Sequence, residues 1–173
     1  MTRMEETEAL RARTDVHYNC CQSVLVPFAD LCGLDKETAF KLGANFGSGM
    51  RHGSTCGAVT GALMVLGLAG KGADEATALM RRFREKNQVL DCANLLRLAK
   101  ERGEERKCHC DRMVYEAVEL LEELQDKGSR MLMSDVGCGA ALCRGALEAA
   151  AMNVYVNTAS LSDRQAAAEI DDE

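Results

Sequence analysis

Hydrophobic positions along this chain recur every three to four residues, the spacing of one face of an α-helix. From about Asp15 to Leu31, the residues Val16, Cys20, Val24, Phe28 and Leu31 share a face. They predict a first helix, which Pro27 can kink and Gly33 closes. Asp35 can cap a short helix through Ala44, and Gly47 to Ser54 then forms a glycine-rich connection, the least regular part of the chain. A compact apolar helix is predicted from Cys56 to Leu68 and expected to be buried, with Gly57 and Gly61 on one face where another backbone can come close. The stripe Ala76, Leu79, Met80 and Phe83 loses register near Lys86 and Asn87, then restarts at Val89, Cys92, Ala93, Leu96 and Ala99. A charged link from Glu101 to Lys107 leads into an amphipathic helix with Met113, Val114, Ala117, Val118, Leu121 and Leu124 inward, ended by Asp126, Lys127 and Gly128. A last long helix is predicted from about Asp135 through Val154. Ser162 and Gln165 read as a capping box for a short terminal helix, with Asp171 to Glu173 frayed.

Composition points the same way. One Pro, few aromatics and abundant Ala, Leu, Glu, Met and Arg favour helix over strand. The fold class is therefore all-α: a compact multi-helix bundle with a glycine-rich loop next to a cysteine-lined site. With 173 residues the chain suits one compact unit, in which residues 127 to 173 form a helical segment packing on a module of residues 1 to 126. The net charge of −6, without a basic stripe, argues against nucleic acid as a partner. No apolar run approaches the roughly 20 residues of a membrane span. The charged stretch Met1 to Arg13 does not resemble a signal peptide, so the cytoplasm is the expected location.

Nine cysteines change the picture, because an odd number without an export signal points to metal binding or redox chemistry rather than a disulfide framework. Asn19 precedes Cys20, Ser54 and Thr55 precede Cys56, and Asp91 precedes Cys92. Each pairs a capping-type residue with a cysteine at a possible first helical position. A helix N-terminus lowers a thiol pKa, so three helix starts could converge on one anionic site, although a start at Asp15 would leave Cys20 inside its helix. Cys108-His109-Cys110 would supply the fourth contribution. The wide spacing is not that of a zinc ribbon, and such a site must be built by folding. Cys32, Cys138 and Cys143 read as space-filling residues, and the methionines, Met50 included, as core filler. Among His17, His52 and His109, the last is best placed as a nitrogen ligand.

Four segments carry a resemblance: Asn19-Cys20-Cys21-Gln22-Ser23-Val24, Cys56-Gly57-Ala58-Val59-Thr60-Gly61, Cys92 followed by Leu95-Leu96, and Cys110-Asp111-Arg112-Met113-Val114. In this order they resemble the redox-active family with the pattern C…CGAxxG…C…C over roughly residues 15 to 125, a module that also occurs in split-Soret cytochromes. The resemblance implies an iron-sulfur cluster or thiol redox work at Cys20, Cys56, Cys92 and Cys110. Cys21 forms an adjacent pair with Cys20, and Cys108 competes with Cys110, whose spacing to Val114 fits better. Gly49, Gly53 and Gly57 are expected to let backbone N–H groups approach cluster sulfurs. Electron transfer or redox sensing with a redox partner protein, and a possible homodimer, complete this expectation. A zinc site or a metal-free dithiol is the alternative. No C-x-x-C-H occurs, so covalent haem is not supported.

A second resemblance lies near the C-terminus, in Ser134-Asp135-Val136-Gly137, Ala140-Ala141-Leu142, Gly145-Ala146-Leu147 and Ala150 to Asn157. These resemble the closing helices of the cyclodeaminase and methenyl-tetrahydrofolate cyclohydrolase family. The resemblance implies a folate pocket with contributions from Asp135, Asn153 and Asn157. Capping by Asp135 and buried hydrogen bonding by the asparagines is the simpler alternative.

Overall fold

The computed structural model describes residues 1–126 and 130–171, with side chains for 1–124 and 141–170. Over the described residues the chain is all-α; the one β-type pairing is an isolated bridge between Thr55 and Asp91. It divides into two compact units, Met1–Asp126 and Lys127–Glu173.

In the first unit the chain opens with a helix that the apolar pattern did not mark, α1 (Arg3–Ala12). A capping box starts it: Thr2 Oγ1 accepts from the Glu5 N–H at 3.1 Å, and a Glu5 carboxylate oxygen accepts from the Thr2 N–H at 2.7 Å. The next helix, α2 (Cys20–Leu25), begins later than Asp15. Asn19 fixes that start, accepting from Gln22 N–H at 3.0 Å while Gln22 Oε1 accepts from the Asn19 N–H at 2.9 Å. Cys20 thereby stands at the head of its helix. At Pro27 the chain tightens into a 3-10 turn over Val26–Phe28. Asp35 caps α3 (Lys36–Gly43) through the Thr38 N–H at 2.8 Å.

The helices α4 (Gly57–Leu68), α5 (Ala73–Asn87), α6 (Cys92–Glu101) and α7 (Arg106–Asp126) follow. The core joins α2, α4 and α7 through Val24, Leu25, Phe28, Val59, Val65, Met113, Val114 and Leu121. The inward stripe of α7 matches its pattern, with Leu120 also buried and Leu124 partly so. Gly57 and Gly61 let α2 and α4 close on one another. A Cβ at Gly61 would lie 2.8 Å from the Cys21 carbonyl oxygen, and one at Gly57 2.9 Å from the Phe46 carbonyl oxygen.

Between α3 and α4 the glycine-rich connection is a defined left-handed turn. Ser48, Gly49, Met50 and Arg51 all have positive φ, between 53° and 62°. Each non-glycine residue held there costs about 1–2 kcal/mol, so the surroundings must enforce the shape. The Ser54 N–H donates to the Gly49 carbonyl at 3.0 Å, and Arg51 Nε to Asn45 Oδ1 at 3.1 Å.

In the second unit, α8 (Arg130–Ala159) extends beyond the expected Asp135–Val154 at both ends, and α9 (Arg164–Asp171) follows. Asp163, rather than Ser162, caps α9: its Oδ1 accepts from the N–H groups of Gln165 at 3.0 Å and Ala166 at 3.2 Å. Ser162 lies one position too early for a helix beginning at Arg164. The expected fraying at Asp172 and Glu173 falls outside the described residues. Leu142, Leu147, Met152, Tyr155 and Val156 on α8 are exposed. Among the described residues no helix is long and apolar enough to cross a membrane.

Candidate redox site

Two backbone hydrogen bonds set the frame. The Cys56 N–H donates to the Leu90 carbonyl and the Cys92 N–H to the Ser54 carbonyl, each at 2.8 Å. The pairing lays segment 54–56 beside segment 90–92, so α4 and α6 start next to one another, with Cys56 just before α4 and Cys92 first in α6. The head of α2 joins them: a Cβ built on Gly57 would stand 3.2 Å from Cys20 Cβ. The second turn of α7 supplies Cys110, near enough to Cys20 that the two thiols shift one another's pKa in opposite directions. Gly49 packs against Cys92, its added Cβ falling 2.8 Å from Cys92 Cβ and 2.4 Å from the Ser54 carbonyl oxygen. Four cysteines that lie far apart in sequence thus come from the first two turns of four helices, with the left-handed turn packed on one of them, Cys92.

Their electrostatics reverse one expectation. The helix starts were expected to lower the thiol pKa values of Cys20, Cys56 and Cys92, yet all three are raised. Cys56 is pushed up to about 12, chiefly by burial, against the pull of the Ala58 and Val59 N–H groups. Cys92 is raised first by burial and then by Cys110, and Cys20 first by its hydrogen bond with Cys110 and then by burial. Removing a thiolate from water costs more than one helix end returns. The thiol that is lowered is Cys110, to about 7, because Cys20 donates to it and the guanidinium groups of Arg11 and Arg106 stand near. The Cys20–Cys110 pair therefore carries the first negative charge of the group.

The other cysteines are placed differently. Cys21 is fully buried, its thiol directed to Met64 Sδ at 3.8 Å. Cys108 is exposed and contacts Glu105 at 3.8 Å. Cys32 is buried as expected, whereas Cys143 is exposed instead of filling space. The side chain of Cys138 falls outside the described residues. All the described cysteines are free thiols.

His109 is buried, with Nδ1 3.3 Å from Glu104 and 3.2 Å from Arg112 Nη2, and with no partner for Nε2 among the described residues. A Cβ on Gly53 would meet Ala93 Cβ at 3.1 Å, so this glycine faces the first turn of α6. Asn153 and Asn157 are exposed, and Asn157 Nδ2 donates to the Asn153 carbonyl of its own helix at 2.8 Å. The side chain of Asp135 lies outside the described residues. Among the described residues no three His, Cys, Asp or Glu side chains close tightly round one ion position.

A cavity of about 420 Å³ opens beside Cys20 and Cys110, lined also by Arg11, His17, Asn19, Ser48, Glu105, Arg106 and Lys107. Sequence reasoning missed its basic wall. Arg106 and Lys107 read as part of a charged link, and Arg11 as part of a charged N-terminal stretch. The clue was their nearness in sequence to Cys108-His109-Cys110.

The model of the family described as "Putative redox-active protein (C_GCAxxG_C_C)" matches residues 18–124, which include all four cysteines and the turn over them. The chain belongs to this family. A redox role comes with that membership. The model of a second family, formiminotransferase-cyclodeaminase, matches residues 108–173. A methenyltetrahydrofolate cyclohydrolase from Methylorubrum extorquens is 38% identical over 60 residues, 35% of this chain and 29% of that protein. The chain therefore spans less than a third of that relative's length. No solved structure matches the chain.

Proposed function

We propose that the chain binds an iron-sulfur cluster through Cys20, Cys56, Cys92 and Cys110 and works in electron transfer or redox sensing in the cytoplasm, with a redox partner protein. The observation that carries this reading is the convergence of four cysteines from the first two turns of four helices, set by the pairing of segments 54–56 and 90–92 and by the packing of Gly57 on Cys20, and close enough to shift one another's pKa values. Soft thiolates suit iron-sulfur clusters and zinc alike. Metal analysis separates the two, since a zinc site carries no iron, no acid-labile sulfide and no visible absorbance of its own. The left-handed turn supports the same reading by bringing backbone at Gly49 against Cys92, where a side chain would not fit. A bound cluster would supply one-electron chemistry, and the chain's part is to hold it, shield it and set its potential.

Iron and acid-labile sulfide in protein purified without oxygen test the reading, together with the visible spectrum. Cys56→Ser should remove both iron and absorbance, and Cys143→Ser should leave them intact. Equal spectra for the two variants would sink the assignment, and a titratable Cys20–Cys110 disulfide without iron would replace it with thiol–disulfide exchange.

The match at residues 108–173 favours a second reading, in which the C-terminal helices bind a folate. Titration of the full chain with 5-formyltetrahydrofolate tests it. Saturable binding lost in Asn153→Ala is the expected result, and absence of binding refutes it.

A further inference from the structure

The cavity beside Cys20 and Cys110 is open to a small molecule and lies in the range of ligand-sized sites. Its charge runs against that of the chain. The whole protein carries −6, yet the lining residues bring Arg11, Arg106 and Lys107 against Glu105 alone. Arg11 and Lys107 are in part compensated by Asp111, at 2.6 and 2.8 Å. Arg106 is exposed at the first position of α7 and has no carboxylate partner among the described residues. Ser48 and His17 add hydrogen-bonding groups, and the inner wall is the Cys20–Cys110 pair itself. A recess with one sign of charge concentrates counter-ions of the other sign from a solution that the rest of the surface repels.

We infer that this cavity is the port through which a small anionic electron acceptor, a carboxylate- or phosphate-bearing molecule or a metal complex of negative charge, reaches the cysteine centre, with Arg106 as the residue that selects for anions. The inference rests on the proposed redox function of those cysteines, and deepens it by naming the class of small-molecule partner. It leaves open whether the electrons come from a cluster or from thiols, because the selection is made by the wall of the cavity. A cluster would lose one electron to one acceptor with no bond formed; the Cys20–Cys110 dithiol would instead lose two electrons to two one-electron acceptors, forming the S–S bond and releasing two protons to solvent.

The test compares two one-electron oxidants of opposite charge, ferricyanide and hexaammineruthenium(III), by stopped flow on the full chain purified without oxygen. In Arg106→Gln the ferricyanide rate should fall roughly three- to tenfold, with the ruthenium rate unchanged or faster. Pyrophosphate should slow ferricyanide in the parent protein and leave the variant's rate alone. Arg81→Gln, which alters net charge equally at an exposed side chain of α5, should keep the parent's ratio of the two rates. A matched slowing of both oxidants in Arg106→Gln would show that this residue acts on the centre itself, and overturn the inference. No change in either rate, or the same ratio in both variants, would overturn it too. Iron content measured in the same samples separates this result from the fate of the cluster: missing iron refutes the cluster, while the rate ratio alone decides the port.

Discussion

Two glycines in one helix make opposite predictions for the same substitution. At Gly61 of α4 an added methyl would meet the Cys21 carbonyl oxygen at 2.8 Å, Val24 Cβ at 3.1 Å and Cys21 Cα at 3.2 Å. Two of those atoms belong to the backbone of α2, which cannot turn aside as a side chain can. Alanine gains about 1 kcal/mol of helix propensity over glycine. Forcing a methyl into a filled contact costs about 1–3 kcal/mol, and against backbone the upper part of that range applies, so Gly61→Ala should destabilise the fold by up to about 2 kcal/mol on balance. Gly67, six residues on, has no atom within 4 Å of its added Cβ. Gly67→Ala therefore keeps the propensity gain and should stabilise by about 0.5–1 kcal/mol. Urea unfolding of the two variants should give midpoints differing by about 1 M, given slopes of 1–3 kcal/mol/M. Because α2 must retreat, Gly61→Ala also shifts Cys20, and the same preparation should retain less iron than Gly67→Ala. Equal midpoints for the two variants would refute the close approach of α2 and α4, and with it the positioning of Cys20.

Asn19→Ala removes the cap that begins α2 at Cys20 and should cost about 1–2 kcal/mol, with Asn19→Ser recovering part of it; a loss under a few tenths in urea unfolding would contradict the capping role. Arg11→Ala breaks a pair with Asp111 whose side chains are 8% and 16% exposed. The cost should be roughly 2 kcal/mol, less than the 3–5 of a fully buried pair, because Lys107 still reaches Asp111. Raised thiol pKa values also set a pH dependence for the metal-free protein. Cys56 is lifted from 9.0 to about 12, so its neutral buried form contributes fully below pH 9.0 and loses its contribution as pH rises above that value. Cys20 and Cys92 act in the same direction, and Cys110, lowered to about 7, acts oppositely by losing its contribution as pH falls from 9.0 towards 7. Urea midpoints should therefore drop between pH 9 and about pH 10.5, and Cys56→Ala should lessen the drop; an unchanged drop in that variant would assign it to other groups.

The sequence by itself determined the helical class and most helix limits, since these depend on local spacing and capping: the stripe of α7, the Asp35 cap and the buried α4 all follow from neighbours in the chain. It also carried the family, through cysteines whose order and flanking residues are linear features. α1 escaped notice because its residues are mostly charged and only a capping box announces it. Tertiary structure decided what local pattern could not. It was long-range backbone pairing that set Cys56 beside Cys92, and helix packing through Gly57 that brought in Cys20. Burial then overruled the helix ends as the determinant of thiol charge, because desolvation depends on everything packed around a sulfur and a helix terminus on a few N–H groups alone. The basic wall of the cavity arose in the same way, from Arg11 and Arg106, which lie nearly a hundred positions apart in the chain and meet only where α1 and α7 are joined through the Arg11–Asp111 pair.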